Sequence, residues 1–139
     1  MLRGRQTLDD VAIERIFQFQ KQTDTVDAWA SRQNIRRVCV ADFSKNLFAT
    51  MNACARAGLT VQSIIDDNPA YWGLNYRGVP IVPSTKVTPE SIDGIVMSNI
   101  NPAQIDKRMD ALSSKFAGPI LRLWQPRLIG NVFPTAMAA

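Results

Sequence analysis

The stretch Val61-Gln62-Ser63-Ile64-Ile65-Asp66-Asp67-Asn68-Pro69-Ala70-Tyr71-Trp72-Gly73-Leu74-Asn75-Tyr76-Arg77-Gly78-Val79-Pro80-Ile81 decides the fold. An apolar strand ends in two acids, turns through Asn-Pro and two glycines, and resumes as Gly-Val-Pro-Ile-Val. That order is the sequence form of the second strand of a mononucleotide-binding βαβ unit. The strand at 79–82 is short and belongs near a sheet edge, because Pro80 has no N–H for a ladder. Gly73 and Gly78 are read as turn residues with positive φ.

Working outward, residues 37–41 (Arg-Val-Cys-Val-Ala) suit a central strand. Leu47, Phe48, Met51 and Ala55 then recur at helical spacing up to Gly58, which predicts a helix over 44–57. Residues 94–98 form a fourth strand, and Asn101-Pro102 is a strong helix start, with Asn at the cap and Pro in the first turn. Ile105, Met109, Leu112 and Phe116 mark the buried stripe of that helix, and 120–124 is a last strand. Strands alternating with helices imply an α/β fold in three layers: a Rossmann-like parallel sheet of about five strands in the order 3-2-1-4-5.

Before this core, Thr7 is the expected cap of a helical extension with Asp9 and Asp10 in its first turn. Its apolar residues Ile13, Ile16, Phe17, Phe19, Val26 and Trp29 are interrupted by Gln22-Thr23-Asp24, which predicts one broken helix or two short ones, stopping near Asn34. The organisation is therefore one domain: 1–35 an N-terminal helical extension, 36–124 the core, and 125–139 a tail. The two apolar appendages, the second carrying Leu128, Ile129, Val132 and Phe133, point to a homodimer.

Composition removes several kinds of chemistry. The 139 residues include no histidine and two cysteines without C-x-x-C spacing, which excludes zinc fingers, His-based acid/base catalysis and Ser-His-Asp chemistry. Cys39 and Cys54 are read as reduced core thiols. The net charge of +4 is spread along the chain rather than clustered, so no nucleic-acid surface is expected. Neither a membrane-spanning run nor a signal-peptide core is visible, and the expected location is cytoplasmic. No metal site and no catalytic residue stand out.

In an open parallel sheet, ligands bind beyond the carboxyl ends of the strands where the strand order reverses. The first loop brings Asp42, Phe43, Ser44, Lys45 and Asn46 there, and the fourth brings Ser98, Asn99 and Asn101. Lys45 is the phosphate candidate. Asp42 or Ser44 doubles as a helix cap, and Ser98 and Asn99 double as the end of a strand and the start of a helix. A dinucleotide binder would have G-x-G-x-x-G in this loop, whereas Ala41-Asp42-Phe43-Ser44-Lys45-Asn46 holds no glycine. With Asp42 also repelling phosphate unless Lys45 neutralises it, NAD is disfavoured. Tyr71 and Trp72 serve either base stacking or the burial of a loop.

Residues 61–65, Asp66-Asp67-Asn68-Pro69, Gly73, Gly78-Val79-Pro80-Ile81 and Asp93-Gly94-Ile95-Val96-Met97-Ser98 together resemble the small Rossmann-like domains of sugar-modifying systems. These are the N-terminal domains of sugar O-acyltransferases and the modules that accompany glycosyltransferases and other surface-polysaccharide enzymes. The resemblance covers 36–124 and implies that Asp66 matches the acid that meets a ribose or sugar nucleotide. By local chemistry Asp66 equally shapes the turn that follows it.

The favoured expectation is a non-catalytic ligand-binding or regulatory module whose cofactor-binding residues are Asp42, Ser44, Lys45, Asn46, Asp66, Ser98 and Asn99, and whose ligand is a nucleotide or nucleotide-sugar. Two alternatives stay open. One is an NAD(P)-dependent or nucleotide-sugar-modifying enzyme, and the other is a structural protein with a degenerate cleft.

Overall fold

A computed structural model describes residues 8–123, with side chains from residue 18 onward. Helix α1 (Leu8–Gln33) leads into β1 (Arg37–Ala41), α2 (Leu47–Arg56) and β2 (Thr60–Ile65). A short hairpin follows, of β3 (Asn75–Tyr76) and β4 (Val79–Val82), then β5 (Gly94–Met97), α3 (Pro102–Ser113) and β6 (Ile120–Arg122). The sheet order is β3-β4-β2-β1-β5-β6. All neighbours are parallel except β3 with β4. Leaving β3 aside, this is the anticipated Rossmann-like order.

The added edge strand β3 has a local cause. Arg77 (φ 52°) and Gly78 (φ 85°) both take left-handed angles, the two-residue hairpin turn that matches the twist of antiparallel strands. Between β4 and β5 the chain makes only the 3₁₀ turns Ser84–Lys86 and Pro89–Ser91, so this crossover lacks the α-helix of a regular βαβ unit.

Alternation along the strands divides the core in two. Val38, Val40, Ile64 and Val96 face α2 and the second half of α1, whose Val26, Trp29 and Ala30 are buried. Cys39, Ala41, Ile65, Ile95 and Met97 face Leu112 and Phe116 of the α3 side. These are the three layers. Trp29 approaches the sheet so closely that a Cβ on Gly94 would lie 2.7 Å from its Cη2.

The expected break in α1 does not occur. Thr23 and Thr25 donate their hydroxyls to the carbonyls of Phe19 and Lys21 one turn back, and Gln20 bonds Asp24 at the i,i+4 spacing. The polar interruption is thereby absorbed within a continuous helix. Its end is as anticipated. Asn34 is left-handed at φ 57°, and the Ile35 amide bonds the Ala30 carbonyl at 2.9 Å, the Schellman arrangement.

Val26 and Trp29 are consumed by the chain's own core, so they offer nothing to a second copy; Phe19 remains exposed. The Thr7 cap and the tail residues Leu128, Ile129, Val132 and Phe133 lie outside the described residues. Cys39 and Cys54 are free and buried. No helix among the described residues is long and apolar enough to cross a membrane.

Candidate functional site

Strand register brings the site together. Ala41 of β1 is level with Ile65 of β2 and Met97 of β5, so the residues that follow, Asp42, Asp66 and Ser98, leave the sheet at one height. Above them opens a cleft of about 800 Å³. It sits over β1 where the chain reverses direction across the sheet, the location that topology dictates. Its lining comprises Asp42, Phe43, Ser44, Lys45, Asp66, Asp67, Asn68, Tyr71, Asn99, Ile100, Asn101, Gln104 and Arg108.

Five of the seven anticipated residues line this cleft: Asp42, Ser44, Lys45, Asp66 and Asn99. Asn46 and Ser98 stand behind it, 8% and 0% exposed. Ser98 Oγ bonds the carbonyls of Ala41 and Asp42 and meets Ser44 Oγ at 2.9 Å, tying β5 to the first loop. Ser44 Oγ also accepts the Asn46 amide. These hydroxyls hold the loop shape that a glycine-rich loop would reach by backbone freedom alone.

Asp42 occupies a position where glycine is ordinary. Its φ is 75°, a left-handed angle that Asp and Asn tolerate better than other side chains. The carboxylate is nearly buried, and its neutralising partner is not Lys45 but Arg108. Arg108 Nε lies 3.0 and 3.2 Å from the two Asp42 oxygens, and Nη2 lies 2.8 Å from Oδ1. The Nη2 contact is an ion pair without hydrogen-bond alignment, and that buried nitrogen has no hydrogen-bond acceptor among the described residues. The opposite charges attract at 2.8 Å whatever the angle. Asn99 Nδ2 adds a bond to Asp42 Oδ2 at 3.0 Å.

From the same guanidinium, Nη1 reaches Asp67 Oδ2 at 3.3 Å. Burial alone would lower the Arg108 pKa, but the bond and charge of Asp42 and those of Asp67 outweigh it, and the pKa is raised. Burial pushes the Asp67 carboxyl up, but donation from the Ser84 amide and hydroxyl, with Arg108, brings it below the ordinary carboxylate range.

Asp66 has the turn-shaping role. Its Oδ2 accepts the Phe43 amide at 2.8 Å and its Oδ1 the Asn68 amide at 2.8 Å, so one carboxylate pins the first loop to the second. Asn68 then caps the 3₁₀ turn Pro69–Tyr71 by accepting the Ala70 amide. The aromatics of this turn are also occupied. Tyr71 stacks on Phe43 at 4.8 Å, Tyr76 meets Phe43 edge-on, and Trp72 Nε1 donates to the Asp66 carbonyl. Phe43 and Tyr71 line the cleft, whereas Trp72 and Tyr76 do not.

The helix start also differs from expectation. Helix α2 begins at Leu47, after a turn in which the Leu47 amide bonds the Ser44 carbonyl. Neither Asp42 nor Ser44 is its N-cap; Asn46 holds that position. Sequence reasoning missed Arg108. A signal existed: Gln104 and Arg108 are one turn apart on α3 and lie off its buried stripe of Ile105 and Leu112, so a helix starting at the strand end carries both along the cleft wall.

No protein-family model matches the chain, and no curated protein matches it. Among solved structures, RSP, a Rex-family repressor, is similar with a TM-score of 0.48 and 14% identity, over 74% of this chain and 58% of RSP. RSP in complex with β-NADH gives 0.47 and 14%, over 74% and 59%. The chain thus spans less than two thirds of RSP's length. Neither structure is a sugar acyltransferase or glycosyltransferase-associated module. The likeness is one of chain path at low identity, and no property of RSP is carried to this protein by it.

Proposed function

We propose that the chain is a non-catalytic binding module whose cleft takes a nucleotide or nucleotide-sugar. The phosphate would lie against Ser44 and Lys45, and the ribose or sugar hydroxyls would lie toward Asp66, Asp67 and Asn68. The observation that carries this is the Arg108–Asp42 pair. A bare Asp42 carboxylate about 4 Å from a phosphate oxygen would be opposed by about 4 kcal/mol at the effective dielectric of a protein surface. With Arg108 2.8 Å away the repelling charge becomes a near-neutral pair, and that objection to phosphate falls.

The two sides of the cleft differ in a way that supports this orientation. On the β2 side stand Asp66 and Asp67, acceptors for hydroxyl groups. On the β1 side stand Lys45 and the backbone amides of Ser44 and Lys45, which have no acceptor among the described residues. The resemblance carried by residues 66–81 favours sugar nucleotides over dinucleotides. The absence of histidine from the chain supports binding without catalysis.

A thermal-shift and calorimetry panel of UMP, UDP-glucose, ATP, NADH and S-adenosylmethionine tests this reading. A ligand at a hundredfold excess over its Kd stabilises by about 2.7 kcal/mol through mass action. Stabilisation by UMP or UDP-glucose that is lost in Lys45→Ala is expected. Silence of every compound at millimolar concentration overturns the reading.

A second reading is favoured by a different observation: Asp42, Asp66 and Asp67 all accept hydrogen bonds from the chain itself. A cleft retired from binding would satisfy its acids in this way, and silence across the panel is its expected result. The homodimer is also proposed, on the apolar tail and the first turns of α1. Light scattering that returns a monomer mass at micromolar concentration overturns it.

A further inference from the structure

Asn is a favoured N-cap residue because its side-chain oxygen accepts an amide of the first helical turn. Asn46 stands at the N-cap of α2 and makes no such bond. Its side chain turns the other way, toward α1. Gln22 Nε2 donates to Asn46 Oδ1 at 3.0 Å, and Asn46 Nδ2 donates back to Gln22 Oε1 at 2.9 Å. The same Nδ2 lies 3.2 Å from Thr50 Oγ1 and 3.3 Å from the Ser98 carbonyl. One buried amide thus joins three elements: the added helix, the start of α2 and the end of β5.

We propose that Gln22 is a positioning residue. Through the reciprocal amide pair with Asn46, helix α1 sets the conformation of the loop at residues 42–46 and thereby the affinity of the cleft. The core alone does not require this link, because Val26, Trp29 and Ala30 already seat the second half of α1 on the sheet. Gln22 lies one turn beyond that apolar seat, where the helix meets the loop. A donor-acceptor pair tolerates only a few tenths of an ångström and a limited angle before it weakens. A shift of α1 along α2 therefore strains Asn46, and Asn46 passes the strain to Ser44 through its amide and to Ser98 through its side chain. By linkage, a ligand that orders the loop favours the seated position of α1, and whatever displaces α1 weakens the ligand by the same factor. The consequence for affinity rests on the binding reading above; the coupling of helix to loop does not.

Gln22→Met keeps the length of the side chain and removes both bonds. In amide hydrogen exchange, the amides of Asn46, Leu47 and Thr50, which bond within the loop and the first turn of α2, should exchange faster by on the order of tenfold. The strand amides of Val40, Ile64 and Val96 should keep their rates. In an Asn46→Ala background the Gln22 substitution should have no further effect on the loop. Equal acceleration of loop and strands would reduce Gln22 to ordinary stability, and an unchanged loop would remove the coupling; either result overturns the proposal.

Titration with inorganic phosphate, followed at the Ser44 and Lys45 amides, reads the consequence for affinity. Weakening by several-fold in Gln22→Met is expected, and equal affinity overturns that consequence. Failure of phosphate to bind the unaltered protein counts against the binding reading and leaves the exchange experiment to decide the coupling.

Discussion

Arg108 lies side-on against Asp42, with Nε 3.0 Å from Oδ1 and Nη2 2.8 Å from the same oxygen, at the point where β1 ends in a left-handed residue. A helix formed sixty residues later thus neutralises the acid that replaces a glycine. Arg108→Met removes the partner of a nearly buried carboxylate. It should destabilise the fold by about 2 kcal/mol, read as a lower urea midpoint at unchanged slope.

Asp42→Gly acts on both sides of that relationship. It relieves the strain of a φ of 75°, roughly 1 kcal/mol, while it removes the ion pair. Its net loss of stability should be smaller than that of Arg108→Met. With the carboxylate gone and the guanidinium released, phosphate affinity measured by calorimetry should rise; an unchanged affinity would mean that Asp42 exerts no field on the ligand.

Gly94 is required by packing rather than by its backbone angle. A methyl group there would sit 2.7 Å from Trp29 Cη2 and 3.1 Å from the Pro119 carbonyl. Gly94→Ala should cost roughly 1–3 kcal/mol through overpacking. The loss should be partly recovered in Gly94→Ala with Trp29→Phe, a non-additivity visible in a double-mutant cycle by chemical denaturation.

Asp93 joins the start of β1 to β5. Its Oδ2 accepts the Arg37 and Arg36 amides at 2.9 Å each, and these bonds hold its carboxyl below the ordinary value of 3.8. A depressed folded pKa means that the unfolded chain takes up the proton first. The contribution is therefore complete above the unfolded value and is lost as pH falls through the lower folded one. Asp67 behaves alike. Stability should decline as the solution is acidified from pH 5 toward pH 3, and Asp93→Asn should flatten that decline in urea titrations at stepped pH.

Burial pushes the Cys54 thiol up to about 12, and burial likewise raises Cys39 despite its contact with Ser63 Oγ. The thiolate is the reactive form. At pH 8 neither cysteine should react with a disulfide reagent in the folded protein, while both should titrate in denaturant; rapid labelling of the native protein would count against the burial of these strand and helix positions.

Much of the architecture was legible along the chain because its causes are local or periodic. The continuous apolar runs at 37–41 and 94–97, the helical stripe of Ile105 and Leu112, the left-handed stop at Asn34 and the turn at Gly78 are each read within a few residues of chain. The same holds for Asp66, whose role in the turn follows from the Asn68 amide two residues away. Topology rules then place Asp42, Asp66 and Ser98 at one end of one sheet without any knowledge of side-chain contacts.

Only the tertiary structure decided the chemistry of the cleft, because each deciding pair is distant in sequence and specified by geometry. Arg108 reaches Asp42 across 66 positions, and nothing local to either residue names the other. Lys45, adjacent to the loop, looked like the neutralising charge because proximity along the chain was the only measure available. Asn46, not the expected Asp42 or Ser44, stands at the start of α2, and its side chain turns to Gln22, 24 positions away, because α1 passes there continuous and unbroken. Local propensity sets which element a residue enters; which partner its polar group meets depends on how the finished elements pack, and that is a property of the folded chain.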